Sequence, residues 1–230
     1  MQAKKQRQQT LSDVRRALVL EAARSVFLEA GIEGANIRAI AKRAGYTPGA
    51  IYSYFDSKEA IYGALLAQSL EKLNAVVALA RGVKNRPDKT LLAKARAWFG
   101  FYAENPRDLD LGFYLVQGMK PRGLTADLNS QLNERLRDAL RPHELALLDM
   151  GLCPDGAARE SAALFAHGVG LLLLQHTGRI RLFGQDVTVL FDLYLEQLLM
   201  RCKGSLTEGQ MTMTETAVPP QTTCLIKPAV

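Results

Sequence analysis

Three cysteines in 230 residues, Cys153, Cys202 and Cys224, are too scattered for a disulfide framework, and their odd number suits reduced thiols. Histidine is equally scarce. His143, His167 and His176 are the only three, none stands four residues from another, and no cysteine or carboxylate pairs with them at ligand spacing. No metal site and no cofactor are therefore expected. The chain lacks the G-x-S-x-G, P-loop, G-x-G-x-x-G and H-E-x-x-H patterns, so no catalytic residue is assigned and an enzyme is not expected. No apolar run reaches the roughly 18–20 residues of a membrane span; the longest is GVGLLLL. The basic start MQAKKQRQQT leads into no apolar stretch and does not read as a secretory signal. The expectation is a cytoplasmic protein with no membrane partner. Alternating strand patterns of useful length are missing as well.

What is present is helical periodicity and an uneven charge. Hydrophobic residues make up 48% of the chain, enough for a packed core, and the net charge is +6. Residues 1–60 hold ten Lys/Arg against six Asp/Glu, whereas residues 61–230 hold nineteen against seventeen. A basic N-terminal quarter points to a polyanionic partner there.

Apolar spacing and punctuation divide the chain. Residues 1–11 read as a basic, disordered arm. A first helix follows from about Ser12 to Ala30, with Val19, Ala22, Ala23, Val26 and Phe27 as its apolar stripe and Gly31 as its stop. Asn36 caps a short second helix, IRAIAKRA, with Arg38, Lys42 and Arg43 outward. After Gly45, Thr47 and Pro48 suit the cap and first position of a third helix. Asp56 or Ser57 caps a fourth, 57–82, with Ile61, Leu65, Leu73, Val76 and Ala80 inward. Five more helices are predicted over about 88–104, 107–119, 124–150, 155–180 and 186–203, with Pro142 kinking or splitting the third of these. Residues 204–230 read as a disordered tail.

The stretch AGYTPGAIYSYFDSKE, residues 44–59, is the most informative. Helices 37–44 and 48–55 around Gly45-Tyr46 form a helix-turn-helix. The second helix of such a unit lies in the DNA major groove. Thr47, Pro48, Gly49 and Ser53 are small or hydrogen-bonding enough for that position. Tyr52 and Tyr54 offer hydroxyls to phosphate while their rings pack inward, and Lys58 opens the next helix, where free N–H groups favour an anion.

Residues 12–66 resemble the DNA-binding domain of TetR/AcrR-type transcriptional regulators. The matching elements are Leu20, Ala22, Ala23, Phe27, Gly31, Ile40, Ala41, Ala44, Gly45 and the run IYSYFDSKE. The resemblance implies an all-α homodimer with an N-terminal helix-turn-helix three-helix headpiece (12–56) and a larger C-terminal helical regulatory and dimerisation domain (57–203). It implies DNA contacts by Arg38, Thr47, Pro48, Gly49, Tyr52 and Lys58. Two departures stand out. Asn36-Ile37 replaces hydroxyl residues frequent in the family, and Tyr46 replaces a small aliphatic and becomes a further candidate DNA contact.

Beyond residue 66 motifs fade. Helices about 155–180, rich in Ala and Gly, and 186–203, rich in Leu, suit a self-complementary dimer interface. Aromatics cluster over 98–114. Trp98, Phe101, Tyr102, Phe113 and Tyr114, with Gln117, His167 and Gln175, are the candidate lining of a small-molecule effector pocket. The resulting expectation is a homodimeric repressor that leaves a palindromic double-stranded DNA operator when a small apolar effector binds. A ligand-independent regulator, an activator, and an all-helical enzyme with a vestigial headpiece remain alternatives.

Overall fold

A computed structural model of the chain describes residues 2–113 and 124–215. Its elements are α1 (Gln2–Gly34), α2 (Ile37–Ala44), α3 (Pro48–Tyr52), α4 (Lys58–Leu79), α5 (Pro87–Glu104), α6 (Pro106–Phe113), α7 (Ala126–Asp149), α8 (Pro154–His176), a 3-10 segment (Arg179–Phe183) and α9 (Val187–Glu215). Among the described residues there is no strand, so the chain is all-α. Helices α1–α3 and the start of α4 make the headpiece. Helices α4–α9 make the larger domain, in which α7 packs on α4, α5 and α8, and α9 packs on α8.

The headpiece boundaries follow from local chemistry. The side chains of Asn36, Thr47 and Ser57 accept the N–H groups of Ala39 (2.9 Å), Ala50 (3.3 Å) and Ala60 (3.1 Å). Each satisfies one of the donors that a helix start leaves unpaired. Ser57, not Asp56, is therefore the cap of α4. Gly45 ends α2 at φ 73°, in the left-handed region where a side chain would be strained. Val19, Ala23, Phe27, Ile40, Ile51, Phe55 and Ile61 fill the space between the helices. Burying a large aliphatic or aromatic side chain of this kind is worth about 1.5–3 kcal/mol.

Several sequence expectations are corrected. Residues 2–11, expected to be a disordered arm, are the first turns of α1, because Gln, Lys, Arg and Ala are good helix formers even without an apolar stripe. Within α1 the helical geometry breaks at Gly31 (φ 67°), where the stop was expected. Pro142 lies inside α7 without splitting it. On α4 the inward residue is Val77, not the exposed Val76. The 107–119 helix is described only as far as Phe113. Helix α9 continues past residue 203 to Glu215, and 216–230 lie outside the described residues. Helix α8 is long and apolar enough by composition to cross a membrane, although its longest uninterrupted apolar run is short. Its Ala157, Leu164, Gly168 and Leu172 are nevertheless buried against the rest of the helical domain.

One close approach sets a stability test. A Cβ on Gly168 would sit 2.5 Å from Cζ3 of Trp98 and 3.3 Å from Cε2 of Phe191, both fully buried rings. Gly168→Ala is expected to cost about 1–3 kcal/mol through overpacking. In a thermal melt this reads as a fall of roughly 2–4 °C per kcal/mol.

His143 sets a second. It is buried on α7 with neither ring nitrogen in a well-aligned hydrogen bond. Burial lowers its pKa from 6.5 to about 4, and nearby backbone at Lys94 and Leu140 offsets this only in part. The folded state thus holds the ring neutral while the unfolded state takes up a proton below pH 6.5. The associated stability is fully present above pH 6.5 and is lost between 6.5 and about 4, at up to about 1.4 kcal/mol per pH unit. Urea unfolding at several pH values should show a steeper acid loss for the wild type than for His143→Leu.

Candidate nucleic-acid interface and ligand cavity

The first turn of α2, the end of α3 and the first turn of α4 surround one open cleft. Arg38, Tyr52 and Lys58 line it, together with Asn36, Ser57 and the carboxylates of Asp56 and Glu59. Two helix N-termini bearing partial positive charge meet there, beside two cationic side chains and a phenol. That arrangement suits a phosphate group.

The basic residues nearby are not equivalent. Arg43 is held by Glu29 through two contacts of 2.5 and 2.9 Å. The hydrogen bond from Arg43 lowers the carboxyl pKa of Glu29 and raises that of the guanidinium. Arg38, by contrast, is exposed and makes no ion pair among the described residues. Lys58 Nζ donates to the carbonyls of Ala35 (3.2 Å) and Glu33 (3.4 Å), so it also ties α4 to the end of α1 and the residue that follows it. Removing it would disturb the headpiece itself.

Thr47, Pro48 and Gly49 are exposed at the start of α3, and Tyr52 is 55% exposed. Tyr46 is half-buried and packs against the core. Arg16 stacks over Phe55, its guanidinium carbon 4.8 Å from the ring centroid, which places another cation on the headpiece surface. A Cβ on Gly49 would meet nothing within 4 Å. The chain's own packing does not require glycine at this helical position, where alanine is the better helix former.

A separate cavity of about 420 Å³ lies in the larger domain. Leu66 and Leu70 of α4 and Leu132 and Leu136 of α7 form its aliphatic walls. Tyr102, Phe113 and Phe165 form an aromatic wall, and Gly112, Asn129 and Asn133 are the other described lining residues. Of the residues expected from sequence to line an effector pocket, Tyr102 and Phe113 border this cavity. Trp98 and Phe101 belong to the buried core behind the wall, as aromatic residues at helical spacing often do. His167 instead stacks on Tyr194 at 4.1 Å, and neither it nor Gln175 borders the cavity. Tyr114 and Gln117 lie outside the described residues. The sequence reading missed Asn129, Asn133 and Phe165. The i, i+4 pair of carboxamides on α7 was the available signal.

Residues 19–65 match the model of the bacterial regulatory proteins of the tetR family. Those residues carry a TetR-family DNA-binding domain. It is 40% identical over 64 residues to the HTH-type transcriptional regulator UidR of Escherichia coli K12, a match covering 28% of the chain. The chain spans about a third of that relative's length, 33%. In fold, the chain is similar to a bacterial regulatory protein of the tetR family from Rhodococcus RHA1, with TM-score 0.64 and 18% identity over 81% of this chain and 95% of the other. It is also similar to the transcriptional regulator FadR of Bacillus subtilis, solved with stearoyl-CoA, with TM-score 0.57 and 21% identity over 79% and 96% of the two chains.

Proposed function

We propose that this chain is a cytoplasmic, homodimeric TetR-family repressor that grips a palindromic DNA operator and is released by a small, largely apolar effector. The observation that carries the reading is the headpiece cleft: Arg38, Tyr52 and two helix N-termini stand beside the exposed Thr47–Gly49 segment. Arg38, Tyr52 and Lys58 supply phosphate contacts, and Thr47, Pro48 and Gly49 approach base edges. Two headpieces about 34–36 Å apart would read successive major grooves on one face of the duplex.

Dimerisation uses the outer face of α8 and α9. Ala158, Ala162, Ala166 and Gly170 form an exposed strip of small residues on α8, flanked by exposed Val189, Leu193 and Met200 of α9. The effector site is the apolar cavity beneath α6. Helix α6 carries Gly112 and Phe113 at the cavity and Asp108 at the headpiece, where Arg24 of α1 reaches it at 3.2 Å. A ligand releases DNA only by favouring the non-binding arrangement, and α6 touches both places where the two arrangements would differ.

The test is protection of the protein's own upstream DNA by the wild type and by Arg38→Ala combined with Tyr52→Phe. Palindrome-sized protection that the variant loses supports the reading; no sequence-selective binding even at low salt sinks it. Removal of the Arg38 cation should flatten the log-affinity against log-salt slope by about 0.9, and loss of the neutral Tyr52 hydroxyl should weaken binding without changing the slope.

Gly49→Ala separates function from folding. It is expected to stabilise the headpiece by about 0.4–1 kcal/mol while weakening operator binding, because the added methyl occupies space left for the groove. Thermal melts and operator titration of the same sample check both signs.

A further inference from the structure

The ligand cavity has a chemical signature of its own. Trp98, Tyr102, Phe113 and Phe165 touch in a closed circuit. Successive centroids lie 5.7 Å (Trp98–Tyr102), 5.9 Å (Tyr102–Phe113), 5.8 Å (Phe113–Phe165) and 5.5 Å (Phe165–Trp98) apart. Three of the four rings face the cavity, so one wall is a rigid aromatic surface backed by the core. Among the described lining residues, polarity comes from two carboxamides and the Tyr102 hydroxyl. Asn129 and Asn133 stand one turn apart on α7, and four-residue spacing puts them on the same helix face. Asn129 is half-buried and Asn133 exposed, which places the pair at the mouth. Neither carboxamide is engaged by another described residue.

No charged side chain lines the cavity among the described residues. Among the described residues of the lining, a carboxylate or phosphate would find no cation and an ammonium no anion. Each would lose hydration without a compensating partner. Each Asn offers both an acceptor and two donors, so the pair matches a group that also donates and accepts. Burial pushes the Tyr102 phenol pKa up, so at neutral pH it stays protonated.

Resting on the reading of this cavity as the effector site, we propose that it takes an uncharged, planar aromatic molecule whose single polar end, an amide-like group that both donates and accepts hydrogen bonds, is read by Asn129 and Asn133. The aromatic body lies against Phe113 and Phe165, and the polar end faces the mouth. An acyl-CoA, with its phosphates, would need basic groups that the described lining does not hold.

The proposal is tested with three probes of one body and three heads: naphthalene-2-carboxamide, 2-naphthoate and 2-naphthylmethylammonium. Equilibrium dialysis against the full-length protein, read by naphthalene fluorescence, gives their affinities without DNA. The carboxamide should bind about tenfold or more tighter than either ion, a preference worth roughly 1.4 kcal/mol. Asn129→Leu with Asn133→Leu should weaken carboxamide binding about tenfold and so narrow the preference. Asn133→Asp, which keeps size and shape, should instead draw in the ammonium probe. Equal or tighter binding of a charged probe to the wild type overturns the proposal, as does no binding of the carboxamide. Operator release is scored separately. A carboxamide that binds but leaves the DNA complex intact upholds the ligand class and counts against the release mechanism. A charged probe that binds best and releases DNA does the reverse.

Discussion

Arg24→Ala is expected to destabilise the fold by about 3–5 kcal/mol, the range for removing one partner of a buried ion pair. Arg24 Nη1 lies 3.2 Å from Asp108 Oδ1, and the two side chains keep only 13% and 10% of their exposure. Truncating the arginine leaves Asp108 out of water with no counter-charge at the junction of α1 and α6. The comparison pairs Arg43–Glu29 and Arg135–Glu71 have side chains 40% or more exposed, and solvent screening should leave each worth far less than the buried pair. A double variant, Arg24→Met with Asp108→Leu, removes both charges and should recover most of the loss, because apolar replacements of a buried pair are often neutral or stabilising. Chemical unfolding of the three proteins decides the matter. An Arg24→Ala loss no larger than that of Arg43→Ala would mean that water reaches Asp108 freely.

The same pair bears on the proposed role of α6. The Tyr62 hydroxyl of α4 donates to the carbonyl of Leu111, so α6 is bonded to α4 as well as to α1. Its last residues wall the cavity. Under the proposed function, the double variant should fold well yet respond to effector differently, since the polar tie between α6 and the headpiece is gone.

The headpiece was legible because its signals are local. Asn36, Thr47, Pro48 and Ser57 each act within three residues of themselves, and Gly45 needs only its own φ. Nothing distant had to be known. The N-terminal run KKQRQQ shows the limit of local reading: polarity suggested disorder, whereas propensity favours helix, and α1 starts at Gln2. The cavity was less legible for a different reason. Trp98 and Phe113 look alike in sequence, yet one is fully buried behind the wall and the other faces the space. Which of them faces a ligand depends on how α5, α6, α7 and α8 cross, and no pattern within one helix encodes that. Asn129 and Asn133 were overlooked because two amides on an amphipathic helix ordinarily mark a solvated face.

Ala166→Glu is expected to leave the chain folded, monomeric and unable to hold its operator. Ala166 is exposed on α8, midway along the strip Ala158, Ala162, Ala166 and Gly170. Within one chain the new carboxylate points to water, so the cost to folding is small, consistent with the usual tolerance of surface substitutions. In the proposed two-fold dimer the change would occur twice. Two carboxylates would then enter a surface whose small residues otherwise let the helices approach closely. The pairs Arg201–Glu160 and Arg96–Asp192, at 2.9 and 2.8 Å, hold α9 to α8 and α5 within the chain and are untouched by the substitution. Separated headpieces lose the high effective concentration that tethering supplies, so operator affinity should fall by about 10²–10⁴-fold. Sedimentation fixes the first expectation and operator titration the second. A variant that remains dimeric would move the interface off α8, whereas a monomer that still binds the full operator at wild-type affinity would remove the need for a dimer.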